Sequence, residues 1–210
     1  ILKGQLSGML EGVGIYQDRD KYLLRSLQVT GRMENLVQEM LAISRMESGS
    51  VAVKQEPVDL SAIIERQLAL DMPLLEQRGQ RLVKDLTSGT VVTGDASLLG
   101  RTAGNLLSNA SLYSPDGAEV RVWCGLLDGR PTLTVENTGV YISDEALPHL
   151  FEAFYRAEGS RNRATGGSGL GLYLVKMILD RHGATYTIEN TADGVRAQII
   201  FPVDEPALRD

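Results

Sequence analysis

The sequence predicts an α+β protein: a helical hairpin, half of a dimeric four-helix bundle, followed by an α/β sandwich whose mixed sheet is covered by helices on one face. Three observations carry this. Residues 1–48 hold two runs of apolar side chains at helical spacing. From residue 49 onward, strand-like and helix-like segments interleave. Two of the strand pairs carry Asp-Gly at their middle, Asp128-Gly129 and Asp193-Gly194, a dipeptide that favours a tight antiparallel turn.

The first helix is read from Leu2, Leu6, Met9, Leu10 and Val13, and the turn-rich GVGIYQDRD follows it. The second is longer. Its stripe of Tyr22, Ser26, Val29, Met33, Leu36, Met40 and Ile43 steps by fours and threes, and Leu23, Leu27, Val37 and Leu41 widen it until Gly49 ends the helix. One hairpin cannot cover a face this wide, so a second copy completing a bundle is the natural cover; packing onto the rest of the same chain is the alternative. Next come a strand over VAVKQEPV, a helix from Asp59 to about Arg78, and strands at QRLVKDL and VVTGD. A helix over LLGRTAGNLLSNASLY then precedes the hairpins EVRVWCGLLDGRPTLTVEN and ATYTIENTADGVRAQIIFPV.

Composition bounds the function. A hydrophobic share of 43% against 23% charged residues in 210 places the chain among folded globular proteins. No apolar run approaches the roughly 18 residues that a spanning helix needs. A net charge of -6 argues against a broad nucleic-acid footprint. Cys124 is the single cysteine, which excludes an internal disulfide or cysteine cluster and reads as a small buried apolar residue. The opening ILKGQL has neither Met nor a targeting segment, so a fragment of something longer is expected.

Chemistry concentrates in ATGGSGLGLYLVKMI, residues Ala164 to Ile178. A Walker loop needs Lys and then Ser or Thr after its last glycine, but Leu172 and Tyr173 follow Gly171. A dinucleotide fingerprint needs an apolar strand upstream, where YRAEGSRNRAT is polar. A nucleophile elbow at Ser168 needs glycine where Leu170 stands. What remains is a polar segment with Arg161 and Arg163, hinged on glycines and ending at a helix start whose free N–H groups suit phosphate: a lid over a polyphosphate. An ordinary loop before a capped helix is the bland alternative. The helix NLLSNASLY decides between them. Asn105 and Asn109 lie one turn apart on one face and Tyr113 continues the row. An Asn oxygen is a neutral hard ligand suited to a Mg2+ that keeps most of its waters and bridges to phosphates.

NLLSNASLY, VENTGVYIS, LFEAFYR and GGSGLGL occur in the order and rough spacing of the N, G1, F and G2 boxes of sensor histidine kinases of two-component systems. The hairpin, the EPVDL segment, VENTGVYIS and IENTADGV resemble most the glycopeptide-resistance sensors of the VanS type. The resemblance implies residues 1–48 as a dimerisation and phosphotransfer hairpin and 49–210 as a catalytic ATP-binding domain of the Bergerat (GHKL) fold, shared with gyrase-type and Hsp90-type ATPases. It implies Asn109 as the Mg2+ ligand, Asn105 close to the phosphates and Tyr113 beside the nucleotide. Asn137 and Gly139 would meet adenine, Phe154 would support the lid with its Arg161 and Arg163, and Gly167, Gly169, Leu170 and Gly171 would border the phosphates. The implied partners are a response regulator and a second copy of the chain. The implied whole is a bacterial plasma-membrane sensor of which this is a cytoplasmic portion.

The match departs from the family in three places. Its phosphoacceptor, a His followed by an acidic residue, is missing, and aligning ILKG with the family's first helix puts that His a few residues upstream of Ile1. The two histidines present read as structural: His149 near a helix end, and His182 before a C-cap glycine, where a cation suits the helix dipole. The G1 box has Asn137 for Asp, losing charge assistance worth about 1 kcal/mol. Leu112 replaces a common Lys, and a second loss of that size makes ATP binding about tenfold weaker. No residue is assigned as catalytic. Two rivals are an ATP-hydrolysing motor or chaperone of the same fold, which needs a general-base Glu where Asn105 stands, and a nucleotide-independent scaffold.

Overall fold

The structure, a computed structural model, describes residues 2–12, 14–49, 52–157 and 167–203. Helix α1 (Leu2–Glu11) is followed by a 3-10 turn (Gly14–Gln17) and the long α2 (Arg19–Glu47). Asp18 caps α2 by accepting from Lys21 N at 3.2 Å. Gly49 ends it at φ +67°, with its N–H on Met46 O. α1 stops short of Val13, which lies outside the described residues. Tyr22 of α2 packs on Tyr16 of the turn (centroids 4.7 Å), and α2 meets α1 where Ser26 donates to Gln5 Oε1.

After β1 (Glu56–Asp59) and α3 (Leu60–Gln77) come β2 (Arg81–Leu86), β3 (Val91–Gly94) and α4 (Ala96–Tyr113). Then follow β4 (Glu119–Leu127), β5 (Arg130–Thr138), a 3-10 turn (Leu147–His149), α5 (Gly171–Arg181), β6 (Thr185–Asn190) and β7 (Gly194–Ile200). The main sheet runs β2-β4-β5-β7-β6, with β2 and β4 parallel and every other pair antiparallel. It is therefore mixed, and its one parallel pair is joined through the α4 crossover, as parallel strands require. Val120, Val122, Cys124, Leu133, Val135 and Ile199 point to one face, where α3, α4 and α5 cover them with large apolar side chains such as Ile64, Leu68, Leu99, Leu106 and Leu179. The other face is a polar row: Arg121, Glu136 and Arg196 stand directly opposite one another, and Glu136 bridges both arginines at 2.8 and 2.9 Å.

Three expectations change. VAVKQEPV is strand only from Glu56, and VVTGD pairs with it in a separate two-stranded sheet rather than joining the main one. Asp128 (φ 51°) and Gly129 (φ 74°) make the left-handed turn that their dipeptide favours. Asp193-Gly194 does connect the expected antiparallel hairpin of β6 and β7, but without left-handed residues: Gly194 is the first residue of β7, and a Cβ there would lie 1.9 Å from Asn137 O, so this glycine is dictated by close approach of β5. His182 is structural, as expected, but it is buried and bonded at both ring nitrogens. The Asp95 N–H can only donate, so Nε2 accepts it at 3.0 Å and Nδ1 carries the proton, donating to Ile178 O at 2.7 Å.

Candidate functional site

α4 is amphipathic in a way that places the site. Leu99, Ala103, Leu106, Leu107 and Ala110 go to the core, while Asn105, Ser108, Asn109, Leu112 and Tyr113 line a cavity of about 220 Å³. Asp95 starts the helix by accepting from Ser97 N (2.9 Å) and Leu98 N (3.1 Å). The opposite wall is the strip Gly167-Ser168-Gly169 with Gly171 and Leu172 at the start of α5. Here the glycines have mechanical reasons. A Cβ on Gly167 would sit 2.8 Å from Tyr113 Oη, and one on Gly171 3.0 Å from Asn105 Oδ1. Gly169 takes φ +74°, and a Cβ there would lie 2.8 Å from the Phe154 carbonyl carbon.

The N-terminus of α5 is open toward this cavity. Its cap residue Leu170 supplies no side-chain bond; Ser168 Oγ instead accepts from Leu170 N at 3.0 Å. The first N–H groups of a helix have no partner within it, and the helix dipole adds partial positive charge there. Such an end accepts an anion.

Asn105, Asn109, Tyr113, Gly167, Gly169 and Gly171 are thus brought together in one cavity. Four other expected residues do not line it. Leu170 is 2% exposed and packs with Ile43, Met46, Leu174 and Ile178 between α2 and α5. Phe154 is exposed, at φ +64°, and meets the strip through its backbone, donating from N to Gly169 O at 2.9 Å. Asn137, near the end of β5, and Gly139, just past it, lie beside the residues that follow α4: Asn137 Nδ2 donates to Ser114 Oγ (2.8 Å), and a Gly139 Cβ would strike Pro115 Cγ at 2.8 Å. Arg161 and Arg163 lie outside the described residues.

Sequence reasoning missed the third wall. Arg32, Asn35, Leu36 and Glu39 of α2 line the same cavity, and Ser168 Oγ donates to Glu39 Oε2 at 2.7 Å. α2 is held there by Ile43 and Met46 on α5, by Arg181 bonding Met46 O, and by Tyr173 Oη donating to Glu47 at 3.1 Å. The Glu47 carboxylate holds the Tyr173 hydroxyl above its ordinary value. The spacing 32, 36, 39, 43 is visible as a helical face, but nothing in it tells which element the face meets.

The family model described as histidine kinase-, DNA gyrase B- and HSP90-like ATPase matches residues 94–205. Sensor protein VanSB of Enterococcus faecalis is 37% identical over 201 residues, which cover 96% of this chain and 44% of that protein. The chain therefore spans less than half the length of that relative. Among solved structures, the Acinetobacter baumannii histidine kinase AdeS superposes with a TM-score of 0.77 at 24% identity, over 97% of this chain and 94% of that one. Histidine kinase ThkA, solved in complex with response regulator protein TrrA, gives a TM-score of 0.75 at 19% identity, over 96% of this chain and 56% of that one.

Proposed function

Since the chain belongs to the histidine kinase-, DNA gyrase B- and HSP90-like ATPase family, we propose that it is the catalytic part of a sensor histidine kinase that binds Mg-ATP in the α4–α5 cavity. In this reading residues 49–210 are the ATP-binding unit and residues 1–48 the hairpin through which two copies pair. The γ-phosphate passes to a His and then to an Asp of a response regulator. The whole protein is a membrane-anchored sensor with this portion in the cytoplasm, and its regulated output is glycopeptide resistance, as the likeness to the VanS type suggests.

The observation that carries the reading is the facing of Asn105 and Asn109 by Gly167, Gly169 and Gly171 across a cavity closed by a helix N-terminus. Asn109 ligands the metal, Asn105 and the glycine backbone meet the phosphates, and Tyr113 lies along the nucleotide. Asn137 and Gly139 meet adenine, and Arg161, Arg163, Leu170 and Phe154 belong to the lid and its hinge. Among the described residues no three His, Cys, Asp or Glu side chains converge on a metal. A donor set of one neutral amide fits an ion whose other ligands are phosphate oxygens and water, which is how Mg2+ is commonly held. When bound, that ion neutralises charge on the transferred phosphoryl group. Neither histidine of the chain has the acceptor's acidic residue after it: His149 precedes Leu150 and His182 precedes Gly183, and His182 is in addition buried with both ring nitrogens engaged. The acceptor is thus assigned to a segment outside these 210 residues.

Calorimetric titration of ATP with and without Mg2+ tests the reading. The expected result is Mg2+-dependent binding that falls at least about tenfold in Asn109→Ala, the loss of one charge-assisted contact. A longer protein carrying the His should then take phosphate from ATP and lose that ability with the same substitution. Absence of any nucleotide binding would leave a scaffold in its place, and multiple-turnover hydrolysis by the chain alone would point to the motor-type ATPases.

A further inference from the structure

The hydrogen bonds around Ser114 settle which way the Asn137 amide faces. Ser114 Oγ donates to Ala110 O at 2.6 Å, and a carbonyl can only accept, so the single hydroxyl proton is spent there. Toward Asn137 the same oxygen can therefore only accept, and it takes the Nδ2 hydrogen at 2.8 Å. Both groups are buried, Ser114 at 3% and Asn137 at 8% exposure, so the bond is shielded from exchange with water. The Asn137 oxygen is left facing away from Ser114.

The serine is itself held from behind. Arg78 donates to Ser114 O at 2.9 Å and also to Ser111 O, while pairing with Asp116 at 2.9 Å. Gln80 donates to Ser111 O (3.0 Å) and Pro115 O (3.2 Å) and accepts from Ser111 Oγ (2.7 Å). These bonds occupy carbonyls at and just beyond the end of α4, where none has a partner inside the helix. The segment that carries the hydroxyl is thus immobilised from the sheet side, and the rotor it presents has one available setting.

We propose that Ser114 is a positioning residue for nucleobase choice: by holding the Asn137 amide with its nitrogen inward, it leaves a lone acceptor that selects a base offering an amino group over one offering a carbonyl. This rests on the reading above, in which Asn137 meets the base. An amide free to turn would present N–H or C=O equally well and would discriminate little. A fixed oxygen rejects a carbonyl, because two acceptors face each other with no proton between them. The orientation matters because Asn137 is an amide: a carboxylate accepts in every orientation, whereas an amide accepts only when turned.

The test compares Mg-ATP with Mg-ITP, whose base carries a carbonyl where adenine has its amino group, by calorimetry on the full chain. The unaltered chain is expected to prefer ATP by about tenfold or more, the factor that one unpaired buried acceptor produces. Ser114→Ala should bring the ratio close to one, mostly by weakening ATP, while Ser114→Thr, which keeps the hydroxyl, should retain it. Adding Asn137→Asp to Ser114→Ala should restore the ratio, because a carboxylate has no donor end; this double variant also separates amide orientation from a general loss of folding, which a parallel melting curve records. An unchanged ratio in Ser114→Ala, an equal loss of both nucleotides, or no recovery in the double variant would each overturn the proposal. If the unaltered chain binds neither nucleotide, the reading of the site fails first and takes this inference with it; if it binds both without preference, the inference alone fails.

Discussion

Ser168 and Glu39 are joined by a 2.7 Å hydrogen bond although 129 positions separate them in the chain. The serine belongs to the glycine strip before α5 and the glutamate to the long helix α2, so one bond ties the hairpin to the wall of the candidate nucleotide cavity. A carboxylate here occupies the kind of place an anion takes at a helix N-terminus.

A polyphosphate entering the cavity meets that negative charge. Two unit charges 4 Å apart repel by about 1 kcal/mol even at the dielectric of water. Glu39→Gln is accordingly expected to bind ATP about fivefold more tightly at low salt, with the advantage shrinking as salt rises. Calorimetry at two ionic strengths measures it. Equal affinities at both would place the phosphates away from α2.

The three glycines of the strip should respond differently to alanine. Gly169→Ala forces a side chain into φ +74° and against the Phe154 backbone at 2.8 to 2.9 Å, so both melting temperature and ATP binding should fall. At Gly167 the added methyl meets, among the described residues, the Tyr113 hydroxyl, so binding should suffer more than stability. Gly171→Ala lies in the first turn of a helix, where alanine is favoured by about 0.5 to 1 kcal/mol, yet it crowds Asn105 Oδ1 at 3.0 Å. It should melt no lower than the unaltered chain while binding ATP less well. Paired melting curves and titrations check the order.

Asp59 couples the start of α3 to pH. Its carboxylate accepts from Ser61 Oγ (2.5 Å) and Ala62 N (3.1 Å), and the serine hydroxyl, with the backbone bond second, holds its carboxyl below the usual 3.8. A depressed carboxyl stabilises the fold at pH values above 3.8, and that contribution is lost as pH falls through the lower folded-state value. Asp59→Ala should cost about 1 kcal/mol at pH 7, a usual helix-cap loss, and the gap to the unaltered chain should close below pH 3.8. Denaturant melts at pH 7 and at about pH 3 decide it.

Cys124 reports on the core. It is fully buried in β4, and burial pushes its thiol up to about 11. At about pH 8 a thiol reagent should label it only when the sheet opens, and at once in denaturant. Rapid labelling of the native chain would show the helix layer lifting from the sheet.

Much of this is legible in the sequence because it is local. Helix caps at Asp59 and Gly49, the Asp128-Gly129 turn and the Asn105, Asn109, Tyr113 row depend on residues a few positions apart, and their periodicity survives in one dimension. The second Asp-Gly marks its hairpin correctly, but the glycine is there for another reason. Gly194 looks like a turn glycine in the chain, but the constraint on it is Asn137 O, brought there by strand pairing. His182 looks like a cation at a helix end, and only the arrival of Asp95 N across 87 positions makes its ring a neutral bridge.

By itself the sequence determined the fold class and named the residues proposed to hold a metal and phosphates, since element type follows side-chain period and ligand chemistry follows residue type. The tertiary structure decided how those residues meet. It sank Leu170 into an apolar seam, put Asn137 at Ser114 rather than in the cavity wall, and laid α2 with Glu39 across the opening. Helical spacing names the apolar face of a helix but carries no record of its partner; that choice belongs to shape and packing summed over the whole chain.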